Sequence, residues 1–291
     1  MNKFAKISIL IGICLVCVGI LISAFNFKKL FQPFFSEAGY ETKEFFSTNE
    51  AITKLIVDID NDQVKIIPYT GNVLKITYSE SEDSKYEIRE ENQIVILNKT
   101  TKICFFCLDF NFKPTQIIIE VPEDLIMEYN LQNDNGKIEI NKIKLLDSTF
   151  ETSNGRFDLK DITSQNDIKL KTSNGRINLH NVTANKIDLT TSNGAVELFG
   201  VQASQEILVK SSNGKIEFEN LEARSIDFKT SNGAIIGTII GNAHDYQKNI
   251  KTSNGKIEIN GDKYTNELNE SSGFNKITAK TSNGSIKIDF K

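Results

Sequence analysis

Cys104-Phe105-Phe106-Cys107 is the one cluster in this chain whose residue types and spacing look like a reaction centre. A Cys-x-x-Cys pair can be a redox couple or half of a zinc site. Zinc normally needs a second pair, and the other two cysteines, Cys14 and Cys17, lie inside an apolar run. A thioredoxin-like reading needs a βαβ context, which the flanking sequence lacks. In an extended strand the two Cα atoms would be about 10 Å apart, so a disulfide between Cys104 and Cys107 requires a local turn. The alternative is two small apolar side chains in a hydrophobic patch with Phe105, Phe106, Leu108 and Phe110.

The two histidines, His180 and His244, have no cysteine or second histidine at ligand spacing and read as exposed residues beside corners or loops. Acids are more regular: Glu139, Asp158, Glu197, Glu217 and Glu258 recur at one outward position. Stacked on one another, they could bind Ca²⁺ or supply paired carboxylates for glycan hydrolysis. Asn178, Ile236 and Lys287 interrupt the series, and Lys137, Arg156, Arg176, Lys215 and Lys256 stand two residues before its positions. Alternating charge on an exposed sheet is the plainer expectation. The sequence therefore names no catalytic residue, metal ligand or cofactor site.

What positions those acids is a repeat. Thr-Ser-Asn-Gly, or a near copy, ends at Gly136, Gly155, Gly175, Gly194, Gly214, Gly233, Gly255 and Gly284, at spacings of 19, 20, 19, 20, 19, 22 and 29 residues. Apolar positions alternate around each glycine: Ile168, Leu170 and Thr172 precede Gly175, and Ile177 and Leu179 follow it. Period two with one apolar face marks a half-buried strand. A second turn-forming position, Asp161, Asn181, Gly200 or Asn220, precedes a further short apolar pair such as Val182 and Ala184. Each unit thus reads as a three-sided coil, and a fixed period of this size is the mark of a solenoid.

Asn-Gly is also the strongest short signal for a two-residue hairpin, so a hairpin-built sandwich or barrel is the competing fold. Hairpins place no demand on the Thr and Ser before the turn. Stacked coils do, because each Thr, Ser and Asn lies on its equivalent one rung away and can form a hydrogen-bonded ladder. The expected structural corners are Asn135-Gly136, Asn154-Gly155, Asn174-Gly175, Asn193-Gly194, Asn213-Gly214, Asn232-Gly233, Asn254-Gly255 and Asn283-Gly284, with each glycine expected to relieve strain at positive φ. Each coil sends about five Ile, Leu, Val or Phe side chains inward, each contributing roughly 1.5–3 kcal/mol on burial before chain entropy.

The 291 residues carry a net charge of −4, with basic and acidic residues interspersed. No basic stripe is visible, which argues against nucleic acid as a partner. Residues 7–25 form a run without a charge, flanked by Lys3 and Lys6 before it and Lys28 and Lys29 after it. That length crosses a bilayer core as a helix. Ile22-Ser23-Ala24 is a poor cleavage site, so an uncleaved anchor is expected, with the C-terminal part outside the cytoplasm.

The chain thus divides into a membrane anchor over 1–30, a juxtamembrane linker over 31–50, an irregular β region or solenoid cap over 51–130, and the Thr-Ser-Asn-Gly solenoid over 131–291. The fold class is all-β: a parallel β-helix or β-solenoid of about 19–20-residue coils, preceded by one transmembrane helix.

The anchor, then Val57-Asp58-Ile59-Asp60-Asn61-Asp62-Gln63-Val64-Lys65-Ile66, then Ile118-Ile119-Glu120-Val121-Pro122, then the Ser-Asn-Gly repeats, together resemble the bacterial putative-adhesin β-strand-repeat family that includes the membrane-anchored LiaG proteins. The resemblance covers about residues 50–291. It implies a β-helix-like domain outside the cytoplasmic membrane, often linked to cell-envelope stress systems, with no catalytic residues to carry over. The stretched last spacings and the Cys-Phe-Phe-Cys insertion depart from the pattern. The expected role is non-catalytic binding of an envelope polymer or of a membrane protein of a stress-sensing system. A carbohydrate-active β-helix enzyme and a structural stalk are the alternatives.

Overall fold

The computed structural model describes residues 39–82, 84–101 and 115–291. The apolar run 7–25 and Cys104-Phe105-Phe106-Cys107 lie outside the described residues. Within these residues no helix is long and apolar enough to cross a membrane.

The 23 described strands join in one continuous sheet wound into a solenoid. Pairing between successive coils is parallel, and it keeps its register along each side while shifting by a residue at bulges such as those after Ala184 and Ala203. Ile168, Ile187, Ile207, Ile226 and Ile277 stack in a single inward column. Parallel pairing excludes the hairpin-built sandwich or barrel, in which neighbouring repeats would run antiparallel.

In the coil around Gly194, Ile187, Leu189 and Thr191 point inward from one side, Val196 and Leu198 from the second, and Val201 and Ala203 from the third; all are buried. Phe150, Phe157, Phe218 and Phe228 are among the largest fully buried side chains, and the rings of Phe218 and Phe228 lie 4.9 Å apart. The alternation read from the sequence is therefore the inside and outside of the coil.

The second corner bends through a left-handed residue: Lys142, Asp161, Asn181, Gly200, Asn220 and Asn260 all have φ between 50° and 62°. Asn, Asp and Gly tolerate this conformation better than other residues, which explains why the turn-formers sit there. The kink passes inside an otherwise continuous strand such as Ile177–Thr190.

Both ends depart from sequence order. The coil of Lys54–Ile59 and Gln63–Tyr69 lies between the later strands Ile94–Thr101 and Gln116–Pro122 on one side and Met127–Asn133 and Ile138–Asn141 on the other. At the far end Asn275–Thr281 and Ile286–Phe290 insert between the coil of Ile216–Lys229 and Ile235–Ile239 and the coil of Tyr246–Thr252 and Ile257–Ile259. The last two corner spacings are long because the chain lays one coil, turns back and fills the slot it has skipped.

The exposed edges are then closed by antiparallel strands. Lys75–Glu80 and Ser84–Glu91 cover the N-terminal rung, and Asp262–Tyr264 and Glu267–Glu270 cover the C-terminal one. Such covering blocks edge-to-edge association. Glu41–Phe46 pairs with Lys75–Glu80, so the linker expected over 31–50 gives way to sheet at residue 41. The open side of Lys75–Glu80 offers it unpaired backbone groups.

Candidate functional site: stacked corners and charged faces

Each Thr of the repeat is buried at the corner, where its hydroxyl bonds to backbone. Thr191 Oγ1 accepts from the Gly194 N–H at 3.1 Å and donates to the Gly175 carbonyl, one coil back, at 3.2 Å. Thr172, Thr230 and Thr281 repeat this arrangement. The threonines thus stack through the neighbouring backbone and not on each other, as a side-chain ladder would have them. Serine stacks likewise through its backbone, as in Ser173 N–H to the Ser153 carbonyl at 3.0 Å.

Asparagine does form the side-chain ladder. Asn193 Nδ2 donates to Asn174 Oδ1 at 2.6 Å, and Asn213 Nδ2 donates to Asn193 Oδ1 at 2.7 Å. The ladder runs without a break from Asn61 through Asn135, Asn154, Asn174, Asn193, Asn213 and Asn232 to Asn283 and then Asn254. Every amide points the same way, so each satisfies its neighbour.

The corner glycines correct one expectation: their φ is not positive, and the left-handed residues lie at the other corner. Glycine is required because a Cβ would overlap the backbone of the next coil. A side chain on Gly194 would run into the Gly175 carbonyl oxygen, one on Gly214 into that of Gly194, and one on Gly284 into that of Gly233. Close approach of two backbones, not torsional strain, fixes the residue.

The outward acids are neutralised by the bases around them. Lys137 Nζ sits 2.7 Å from Glu139 and 2.9 Å from Asp158, and Arg156 sits 2.9 Å from Asp158. Arg176 reaches Glu197 at 3.3 Å, Lys215 reaches Glu217 at 2.8 Å, and Lys287 reaches Glu258 at 2.6 Å. Lys287, which breaks the acid series in the sequence, is beside Glu258 because its coil is the intercalated one. The Lys137 hydrogen bond holds Glu139 below its ordinary pKa, and the Lys287 hydrogen bond does the same for Glu258. Burial pushes Asp158 up, but hydrogen bonds from Lys137 and Asn178 and the nearby positive charges outweigh it, leaving it lowered.

His180 and His244 are exposed, the first beside the Phe199 ring and the second in a short 3-10 turn. Among the described residues no cluster of His, Cys, Asp and Glu could hold a metal ion.

Three buried charges were missed by the sequence reading: Asp62, Lys248, and Glu80, which is paired with Lys43 and Lys85. Asp62, fully buried where later coils have glycine, accepts from Tyr86 Oη at 2.7 Å, from Lys99 Nζ at 2.9 Å and from Thr115 Oγ1. Burial, with the Asp62 charge second, pushes the Tyr86 phenol up. Lys99 and Thr115 lie in sequence on either side of the segment that carries the Cys-x-x-Cys pair, and Asp62 joins the two. Lys248 occupies an inward position in the outermost C-terminal coil and donates to the Ala243 carbonyl at 2.6 Å and to Glu270 at 2.6 Å. The Asp-Asn-Asp sequence at 60–62 resembles the later Ser-Asn-Gly corners and could have drawn attention to Asp62; Lys248 breaks the apolar alternation and had a similar signal.

The model of the family described as Toastrack DUF4097 matches residues 52–289. This chain belongs to the Toastrack DUF4097 family. Among solved structures, a "putative adhesin" from Bacteroides fragilis NCTC 9343 is 14% identical, covers 87% of this chain and 97% of its own, and superposes with a TM-score of 0.53. That likeness concerns the Toastrack fold. A "putative lipid binding protein" from Parabacteroides distasonis ATCC 8503 is 15% identical over 88% of this chain and 98% of its own, with a TM-score of 0.44. No curated protein matches the chain.

Proposed function

We propose that this Toastrack protein is a non-catalytic binding protein, tethered by residues 7–25 to a bacterial membrane with its solenoid outside the cytoplasm, which engages an envelope polymer or a membrane protein of a stress-sensing system. The observation that carries the binding reading is the state of the acids. Glycoside hydrolysis needs one carboxyl raised enough to deliver a proton. The shifted carboxyls on the faces, Glu139, Asp158 and Glu258, are all held down by cations. What the rod offers a ligand is long, regular, charged faces.

The anchor reading rests on the charge-free run 7–25 and its flanking lysines. The LiaG-like assignment and the link to envelope stress extend from the sequence resemblance.

The test combines fractionation and binding. The full chain is expected to sediment with membranes and to bind isolated cell envelopes saturably without releasing reducing ends. A chain lacking residues 1–30 is expected to leave the membrane fraction. Catalytic release of reducing ends would replace binding with hydrolysis, and absence of saturable envelope binding would remove the binding reading.

A further inference from the structure

Along one side of the solenoid, just before the corner, the outward column contains Lys210, Lys229, Lys280 and Lys251 on four adjacent rungs. Chain order scatters these residues, and the charge count shows no stripe. The intercalated last coil sets Lys280 between Lys229 and Lys251. Like charges directly opposite one another in a sheet are destabilising. On the second side of the solenoid the molecule avoids this by placing acids beside bases. In the lysine column relief is partial: Lys229 lies 2.7 Å from Asp227 and Lys251 lies 3.7 Å from Glu267. Lys210 and Lys280 have no carboxylate partner among the described residues.

We infer that this row is a binding track for a linear anionic polysaccharide carrying one carboxylate per sugar. The inference rests on the binding reading above and names the ligand class. Adjacent rungs are about 4.8 Å apart, so the row presents positive charge at that interval over roughly 14 Å. A pyranose ring in a linear chain advances by a comparable length, which lets successive carboxylates meet successive lysines. A single headgroup would use one or two of the four. Beside the row, nearer the corner, Ser212, Ser231, Ser282 and Ser253 are exposed, followed by the exposed Asn ladder, whose amides each keep one N–H free of the ladder. These are donors suited to sugar hydroxyls. Neither the lysine column nor the outward columns flanking it contain an aromatic residue, so the stacking platform that single-stranded nucleic acid uses is missing. Each exposed ion pair is weak alone, so affinity must grow with ligand length.

The experiment measures binding of polygalacturonate to the full chain in a detergent with an uncharged headgroup, at low and raised salt. The variant Lys210→Gln/Lys229→Gln/Lys280→Gln/Lys251→Gln is expected to lose affinity about tenfold or more and much of the salt dependence. Its melting temperature should stay level or rise, because the substitutions relieve repulsion. The variant Lys65→Gln/Lys142→Gln/Lys160→Gln/Lys169→Gln removes the same net charge elsewhere and is expected to bind like the unaltered chain. Equal loss in both variants, no loss in the first, or equal competition per carboxylate by monomeric galacturonate would overturn the track. Tighter binding to polyphosphate, to a single-stranded oligonucleotide or to phosphatidylglycerol vesicles would overturn the sugar assignment. If the first variant still binds isolated envelopes as the unaltered chain does, the lysine row fails and the binding function stands. If the unaltered chain binds no envelope, that function fails first.

Discussion

Asn283 donates its side-chain amide to Asn232 at 2.6 Å although 51 residues separate them. Asn254, nearer Asn232 in sequence, lies beyond Asn283 and donates to it at 2.7 Å. The final coil is therefore enclosed by two others, whereas the end coil of an ordinary solenoid has one neighbour.

Deleting residues 275–291 should reach further than shortening a rod. The strand Ile216–Lys229 loses the parallel partner on one side of its Ser225–Lys229 stretch, and Tyr246–Thr252 loses its parallel partner altogether. The expected outcome is loss of hydrogen-exchange protection at Ile226 and Phe228 as well as at Ile250, with the coils before Gly194 still protected. Retained protection at Ile250 would show that the outer coil stands without the inserted one.

The two corners predict opposite responses at Gly194 and Gly200. Gly194→Ala places a Cβ against the Gly175 carbonyl, which must move with its whole rung, so a loss of about 1–3 kcal/mol or more is expected. Gly200 has φ +62° and stands in register with Asn181 and Asn220, which share that conformation. Gly200→Asn should stay within about 1 kcal/mol of the parent. Denaturant midpoints of the two variants check this, and a tolerated Gly194→Ala would remove the close-approach explanation.

Much of this architecture was legible because the repeat is a local rule. Ile187, Leu189, Val196 and Leu198 could be assigned inward from alternation alone, and parallel stacking followed from the fidelity of Thr-Ser-Asn-Gly. The cause of the glycine was misread, since the backbone it must approach belongs to a coil 19 or 20 residues away and leaves no mark in its own sequence. The intercalated ends were hidden for the same reason: spacings of 22 and 29 say that extra chain intervenes, not where the next coil docks. The lysine row needed both the register and that docking before its four members became neighbours.

Acid should weaken the fold through the paired carboxyls. Glu139, Asp158 and Glu258 have folded pKa values below their unfolded ones, which lie near 4. A depressed folded pKa gives stability that is complete above the unfolded value and disappears as pH falls through the folded value. The melting temperature is thus expected to hold from neutral pH down to about pH 5 and to drop below about pH 4. Asp158→Asn should flatten part of that acid limb; an unchanged limb in this variant would show that the Lys137 and Arg156 pairings contribute nothing measurable.

Lys248 closes the C-terminal end of the core, and its partners decide which substitution hurts more. Its ammonium is almost fully buried, bonded to the carbonyls of Ala243 and Tyr246 and to Glu270, and 5.9 Å above the Phe290 ring. Glu270→Ala leaves that charge with neutral partners only, a loss expected at about 1–3 kcal/mol. Lys248→Met keeps the aliphatic stem against the core and strands no charge, so it should cost less, and adding Glu270→Ala to it should cost little more. Chemical denaturation of the two single variants and the double variant measures the coupling. A Lys248→Met loss larger than that of Glu270→Ala would mean that the ammonium's bonds to the two carbonyls, and not its pairing with Glu270, hold the end of the rod.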